Sequence, residues 1–250
     1  MSEISLELKN IKKSFQEGED VLESICLTAK KGEFVTLLGS SGCGKTTTLR
    51  IIAGLEQPDS GQVFLDGKDV TSLEPNQRNV NTVFQNYALF PHMNVADNIG
   101  YGLKLKKTSK AEISRRVKEM LDHVQLPGFE RRKPSELSGG QRQRISLARA
   151  ILKDAPIVVL DEATAYADPE NEEKMEAAIA ELVKGKTLVV IAHKLPAIMN
   201  ADQICVEDHG KLVASGKHQD LIQSCPEYQK LWKAAQDSAE WKVHTAKEGN

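Results

Sequence analysis

The sequence has no long apolar segment. None of the apolar runs in its 250 residues approaches the roughly 20 residues that a helix needs to cross a bilayer. The N-terminal residues also lack the apolar stretch of a signal peptide. These absences predict no direct membrane insertion, so any work at a membrane would go through a partner.

Cysteine and charge of one sign are scarce as well. The 4 cysteines form no C-x-x-C pair, which argues against a zinc site or a disulfide framework and favours a reducing compartment such as the cytosol. The formal net charge of −2 gives no attraction to nucleic acid. We therefore expect a cytoplasmic chain without a nucleic-acid partner.

The most informative segment is a glycine-rich loop that fits the pattern G-x-x-x-x-G-K-[ST]. In this pattern the glycines let backbone N–H groups face phosphate oxygens, the lysine adds positive charge, and the last hydroxyl binds Mg²⁺. An apolar strand-like run precedes the loop and a helix-like run follows it, so the helix N-terminus would point at the phosphates. The predicted nucleotide-binding residues are Gly39, Ser40, Ser41, Gly42, Cys43, Gly44, Lys45, Thr46 and Thr47, with Lys45 also assisting catalysis and Thr46 binding the metal.

The periodicity of apolar residues predicts an α/β fold. Strand-like runs dominate as far as about residue 84. The character changes from about 86 to 138, where helical spacing predicts an amphipathic helix over 109–124. Strands and helices then alternate, and a predicted hairpin surrounds the turn at Gly210. The pattern indicates a nucleotide-binding core that carries a helical insertion near its middle.

Two carboxylates follow a fully apolar predicted strand, 157–160. In α/β proteins the carboxyl ends of such strands face the ligand. We expect Asp161 to help to hold Mg²⁺ and Glu162 to polarise the water that attacks the γ-phosphate.

The segment Leu137–Gln141, called the signature segment below, resembles the signature of ATP-binding cassette ATPases, the energy-supplying subunits of ABC transporters. The resemblance implies a head-to-tail dimer with a second copy, in which this segment contacts the γ-phosphate of the ATP bound by the other copy. An alternative is that Ser138 only caps a helix that opens on a flexible diglycine. The implied nucleotide contacts are Ser138, Gly139, Gly140 and Gln141.

Four other positions match functional positions of the same family. Gln85 matches the glutamine that reaches Mg²⁺ and the attacking water, and His193 matches the histidine that senses the γ-phosphate. Asp168 matches the loop that crosses the dimer interface, and Phe15 matches the aromatic that stacks on adenine. Together with Glu162 and Lys45, Gln85 and His193 complete the implied catalytic set.

The resemblance also implies the organisation of the chain. It implies a P-loop NTPase core, a mixed sheet flanked by helices with an antiparallel β subdomain, formed by residues 1–85 and 141–236. Residues 86–140 would form a helical signature subdomain, and residues 237–250 a flexible tail. The cofactors would be ATP and Mg²⁺, and the partners transmembrane permease subunits at the inner face of the cell membrane.

The two parts of the chain resemble different branches of this family. The part around residues 39–103 resembles ATPases of polyamine or sugar importers, whereas the part after about residue 145 resembles exporter domains. One interpretation is an engineered or recombined chimera that binds ATP but is poorly coupled or weakly active. Others are a natural protein of mixed ancestry and a wrong branch assignment for one half of the chain. A non-transport ATPase of the family is a further alternative. An adenylate-kinase-like enzyme or a GTPase is excluded, because those proteins lack the signature segment.

Overall fold

The computed structural model describes residues 3–16, 18–83, 89–161, 179–180, 183–191 and 199–247. The chain divides into two compact units, Met1–Arg78 with Thr187–Asn250, and Asn79–Lys186. Each unit is described by itself below, and the domain boundaries inferred from the sequence stay predictions.

The described residues form both strands and helices. In chain order they are β1 (Ile4–Gln16), β2 (Glu19–Lys30), β3 (Phe34–Gly39), α1 (Lys45–Ala53), β4 (Ser60–Leu65), β5 (Lys68–Asp69), β6 (Val80–Val83), α2 (Val95–Leu105), α3 (Lys110–His123), a 3-10 turn (Pro134–Glu136), α4 (Gly139–Lys153), β7 (Ile157–Asp161), β8 (Thr187–Ile191), β9 (Gln203–Asp208), β10 (Lys211–Gly216), α5 (His218–Ser224) and α6 (Pro226–Lys247). Sheets and helices of this kind confirm the predicted α/β class.

The first unit contains two arrays of strands. One is antiparallel in the order β2-β1-β4-β5, and the other follows the order β10-β9-β3-β8. In the second array β3 pairs in parallel with both β8 and β9, so its apolar side chains are buried between two neighbours. The register pairs Gly39 with Glu207, which places the ends of β3 and β9 side by side. The phosphate loop leaves the sheet at this edge.

Helices α5 and α6 cover part of the second array with a buried apolar cluster. It includes Leu38 of β3, Val206 of β9, Leu221 of α5 and Tyr228 of α6. The backbone of α6 continues to Lys247, and the flexible tail expected at residues 237–250 stays a prediction.

A buried arginine fixes the far end of α1. Arg78 is 2% exposed, and its guanidinium donates to the carbonyl oxygens of Ile51 and Ile52 at 2.6 and 3.1 Å. It also donates to the carbonyls of Leu73 and Thr71 at 3.0 and 2.9 Å. One side chain thus donates to the Ile52 carbonyl at the end of α1 and adds a donor to the Ile51 carbonyl, which also accepts from the Gly54 N–H at 3.1 Å.

The second unit packs helices beside the parallel pair β6 and β7. Helix α2, which the sequence analysis did not identify, begins at an Asn94 cap whose side chain accepts from the Asp97 N–H. Its Gly100 allows close packing, since a Cβ there would lie 2.8 Å from Ile113 of α3. Helix α4 follows the signature segment, and its buried face includes Ile145 and Leu147.

Candidate nucleotide-binding site

The phosphate loop, Gly39–Thr46, joins the end of β3 to the start of α1. Its backbone depends on glycine, because φ is +81° at Gly42 and +118° at Gly44. Gly44 is the N-cap of α1 without any side-chain cap, and its carbonyl accepts from the Thr48 N–H at 2.8 Å. The N–H groups of the first helical turn therefore remain available to an anion.

The Lys45 side chain folds back over the loop. Its Nζ donates to the carbonyl oxygens of Gly39 at 3.0 Å and Ser40 at 2.7 Å, and lies 3.4 Å from the Sγ of Cys43. The residue is only 8% exposed. The ammonium is thus held among carbonyl dipoles of the loop itself, where phosphate oxygens would be stronger acceptors for it.

A cavity of about 210 Å³ opens at the loop. Its lining consists of Val21, Gly42, Gly44, Lys45, Thr46 and Thr47. Five of these residues belong to the predicted nucleotide site, and Val21 comes from β2. The cavity brings together the lysine, the hydroxyl of Thr46 and the open helix N-terminus that an anionic ligand would use.

Neighbouring backbone leaves no room for side chains at two of the loop glycines. A Cβ at position 44 would lie 2.4 Å from Leu22 Cδ2 and 3.0 Å from the Val21 oxygen. A Cβ at position 39 would lie 2.2 Å from the Glu207 oxygen. Glycine at these positions therefore serves close packing as well as backbone conformation.

The turn between β9 and β10 braces the loop from outside. Gly210 donates its N–H to the Cys43 carbonyl at 3.1 Å, and its own carbonyl accepts from the Glu23 N–H at 2.9 Å. The turn needs glycine, because φ at Gly210 is +74° and a Cβ would lie 2.6 Å from the Val21 oxygen. Sequence analysis identified the turn but not its contact with the loop.

Glu207, which the sequence analysis did not single out, is buried beneath the loop. Its side chain is 0% exposed, and a Cβ at Gly44 would lie 3.6 Å from its Oε2. Burial raises the pKa of this carboxyl to about 7, against the opposing effects of Lys45 and Thr48. The sequence does contain a signal for this burial, because the apolar run Ile204–Val206 directly precedes Glu207 on one strand.

The aromatic candidate lies on β1. Phe15 is 58% exposed, and the Nζ of Lys13 lies 5.3 Å from its ring centroid. Lys13 is in turn bound to Glu56 at 3.0 Å and Asp59 at 3.2 Å, and the hydrogen bond with Glu56 is the main cause of its raised pKa. An exposed ring of this kind can stack on a planar base.

The metal and catalytic candidates are only partly described. Asp161 ends the buried strand β7 in the second unit and is half-buried. Gln85, Glu162, Asp168 and His193 lie outside the described residues, so their positions stay predictions.

The signature segment begins α4 in the second unit. Ser138 is the N-cap, and its Oγ accepts from the Gln141 N–H at 3.3 Å while the Gln141 side chain accepts from the Ser138 N–H at 3.0 Å. This reciprocal capping agrees with the simpler interpretation of Ser138 within one copy. Gly139 faces open space, because a Cβ there meets nothing within 4 Å. Gly140 follows it in the first turn of the helix.

Comparison with known proteins gives a consistent result. The sequence model described as ABC transporter matches residues 22–165, more than half of the chain. The Spermidine/putrescine import ATP-binding protein PotA of Clostridioides difficile is 46% identical over 224 residues, 88% of this chain and 64% of the relative. The Putrescine transport ATP-binding protein PotG of Escherichia coli is 42% identical over 221 residues, 87% of this chain and 58% of the relative. The chain thus spans less than two thirds of the length of these relatives.

A solved structure supports the same fold. It is described as a dimeric ATP-binding cassette in a post-hydrolysis state, bound to ADP and Pi. The two chains are 32% identical with a TM-score of 0.76, and the match covers 85% of this chain and 98% of that chain. The predicted P-loop NTPase fold is confirmed by this likeness.

The comparisons do not support a chimera. The importer relatives match 87% and 88% of the chain, so their likeness extends beyond its N-terminal part into the region that we had compared with exporters. One interpretation, that the whole chain is a member of this family, accounts for both parts of the sequence.

Proposed function

The chain belongs to the ABC transporter family, and from that premise we propose that it binds and hydrolyses ATP to drive a transporter. The observation that carries this proposal is the phosphate loop, where Lys45 and the open N-terminus of α1 meet at one cavity. Amides and an ammonium that converge on one space are the means by which proteins hold a triphosphate.

Nucleotide binding would exchange one set of contacts for another. The Lys45 ammonium leaves the carbonyls of Gly39 and Ser40 for β- and γ-phosphate oxygens, which carry full negative charge. The amides of Lys45, Thr46 and Thr47 contact the same phosphates. Phe15 stacks on the adenine ring.

The residues present suit Mg²⁺. The Thr46 hydroxyl lines the cavity, and Asp161, which ends β7 in the second unit, is proposed from the sequence resemblance as the carboxylate that helps to hold the ion. Hydroxyl and carboxylate oxygens, joined by phosphate oxygens and water, are ligands that this small cation prefers. When bound, the metal neutralises charge on the phosphates, and Gln85 is proposed as its further ligand.

Hydrolysis needs a polarised water and little other covalent chemistry. Glu162 polarises the water and accepts its proton, the water oxygen bonds to the γ-phosphorus, and the bond from that phosphorus to the β,γ-bridging oxygen breaks to give ADP and phosphate. His193 and Gln85 hold the γ-phosphate and water in place, and Lys45 stabilises the charge. These roles carry over from the sequence resemblance.

A second copy would complete each site. Gly139 faces open space at the N-terminus of α4, where the partial positive charge of the helix favours a phosphate. Ser138 and Gly140 would join it in contact with ATP held by the partner, with Asp168 and Gln141 at the same interface. The solved neighbour, described as dimeric and bound to ADP and Pi, supports this arrangement.

The names of the relatives suggest the transported solute. Import of spermidine and putrescine is attributed to PotA proteins by name, so we propose that this chain drives uptake of small polyamines. Among the described residues no helix is long and apolar enough to cross a membrane. Permease subunits would therefore carry the solute, with this chain at the cytoplasmic face.

Phosphate release from Mg-ATP by the purified chain tests the proposal. We expect turnover that Lys45→Met abolishes by loss of binding and Glu162→Gln abolishes with binding retained. Addition of a polyamine permease should raise the rate. Binding without turnover in the wild-type chain would contradict the proposed hydrolysis, and no binding at all would contradict the proposed site.

A further inference from the structure

Glu207 has an unusual environment for a carboxylate. It ends an apolar stretch of β9, Ile204, Cys205 and Val206, each 0% exposed, and is itself 0% exposed. Strand pairing sets it beside Gly39, the first residue of the phosphate loop. A buried carboxylate is costly unless it is paired or serves a function.

The Glu207 carboxylate lies under the turn that starts α1. Its Oε2 is close to Gly44, and Thr48 of α1 faces it. Within the described part of the chain, both carboxylate oxygens and the Thr48 hydroxyl lack a hydrogen-bond partner. The carboxylate therefore lies against the start of α1, where burial raises its pKa and Lys45 and Thr48 both lower it.

Among the described residues, Lys45 is the cation whose charge lowers the pKa of this carboxylate, against the effect of burial. The two are not within 4.0 Å, since the Lys45 Nζ donates instead to the carbonyls of Gly39 and Ser40. The other titratable groups nearby are the buried thiols of Cys205 and Cys43, and burial raises the pKa of the Cys205 thiol to about 12. Asp208 and His209, next along the chain, are more exposed.

We propose that Glu207 is a positioning residue of the phosphate loop, which weakens nucleotide binding when ionised by competing with the triphosphate for the charge of Lys45. The proposal rests on the function proposed above, because it requires a nucleotide at this loop. The phosphates would lie in the cavity that Lys45 lines, and the charge of Lys45 also acts on the Glu207 carboxylate. An ionised Glu207 also repels the phosphates, so loss of its charge favours the bound triphosphate.

A measurable consequence is proton uptake on binding. The free protein already holds the Glu207 proton up to a pH near 7 because of burial. A bound triphosphate adds negative charge nearby and raises this pKa further, so above neutral pH the complex binds a proton that the free chain lacks. Affinity should then fall as pH rises, by at most about tenfold per pH unit.

The test compares the wild-type chain with Glu207→Gln, which keeps the shape of the side chain and removes its charge. Titration calorimetry with Mg-ATP from pH 6 to pH 9, in buffers of different ionisation enthalpy, gives both affinity and proton uptake. We expect Glu207→Gln to bind roughly threefold to tenfold more tightly at pH 8 and to lose the part of the proton uptake that the wild-type chain shows. Glu74→Gln, an exposed loop position, is the control for charge alone and should follow the wild-type curve.

The outcomes separate this inference from the proposed function. No binding by the wild-type chain would overturn both. Binding with equal affinity and equal proton uptake in wild type and Glu207→Gln would overturn only the inference, and so would weaker binding by Glu207→Gln at pH 8. If Glu207→Gln does not fold, the wild-type chain alone tests the inference. The inference requires the wild-type chain to take up protons when it binds Mg-ATP above neutral pH, after correction for the protons that Mg-ATP itself releases or binds.

Discussion

Replacement of Gly44 by alanine should disrupt the start of α1. A positive φ costs an L-residue about 1–2 kcal/mol, and φ here is +118°. The new methyl would also lie 2.4 Å from Leu22 Cδ2 and 3.0 Å from the Val21 oxygen, and such overpacking costs about 1–3 kcal/mol. We expect a loss of about 2–5 kcal/mol in the free energy of unfolding, measured by urea denaturation, together with loss of Mg-ATP binding.

Gly32 supplies the matched control. It also has a positive φ, +78°, but a Cβ there meets nothing within 4 Å. Gly32→Ala should therefore lose only about 1 kcal/mol and keep its nucleotide affinity, since the turn between β2 and β3 is outside the loop. If Gly44→Ala proved no less stable than Gly32→Ala, the packing of Val21 and Leu22 against the loop would be refuted.

Three further perturbations test other contacts. Lys45→Met should lower Mg-ATP affinity at least tenfold in calorimetry, since the variant removes the ammonium that would donate to the phosphate oxygens; retained affinity would contradict its role. Arg78→Met should cost about 2–4 kcal/mol in urea unfolding, because it removes four hydrogen bonds to carbonyls, among them the bond to Ile52 at the end of α1; a cost under 1 kcal/mol would contradict that. The Glu207 carboxyl has a pKa of about 7 in the folded chain and about 4.5 in the unfolded chain. Its contribution to the free energy of unfolding, about 3 kcal/mol, is therefore lost as pH rises between these values. Glu207→Gln should remove this part of the pH dependence, and an unchanged slope would argue against a buried titrating carboxyl.

The phosphate loop was predictable from the sequence because its chemistry lies in a short, contiguous segment. Glycines at positions 42 and 44 adopt positive φ, and Lys45 and Thr46 follow directly. Strand β3 and helix α1 on either side have simple apolar patterns. Local sequence therefore carried most of the information that builds this part of the site.

What the sequence did not reveal depends on contacts between distant segments. Glu207 lies beside the loop only because β9 pairs with β3 in a particular register. In the sequence Arg78 cannot be distinguished from a surface charge, and only the fold brings it to the end of α1. Helix α2 was missed because Gly100 and Gly102 lower helix propensity. Tertiary packing nevertheless favours glycine at position 100, because α3 approaches too closely for a side chain there.

A mixing experiment tests most directly the central claim that the loop of one copy and the signature segment of another form one site. Lys45→Met disables the loop, and Ser138→Arg blocks the signature segment at the N-cap of α4. Each variant alone should release no phosphate from Mg-ATP. An equal mixture should recover about a quarter of the wild-type rate, because random pairing makes half of the dimers mixed and each mixed dimer holds one intact site of two. A mixture that stays as inactive as its components would contradict the shared site.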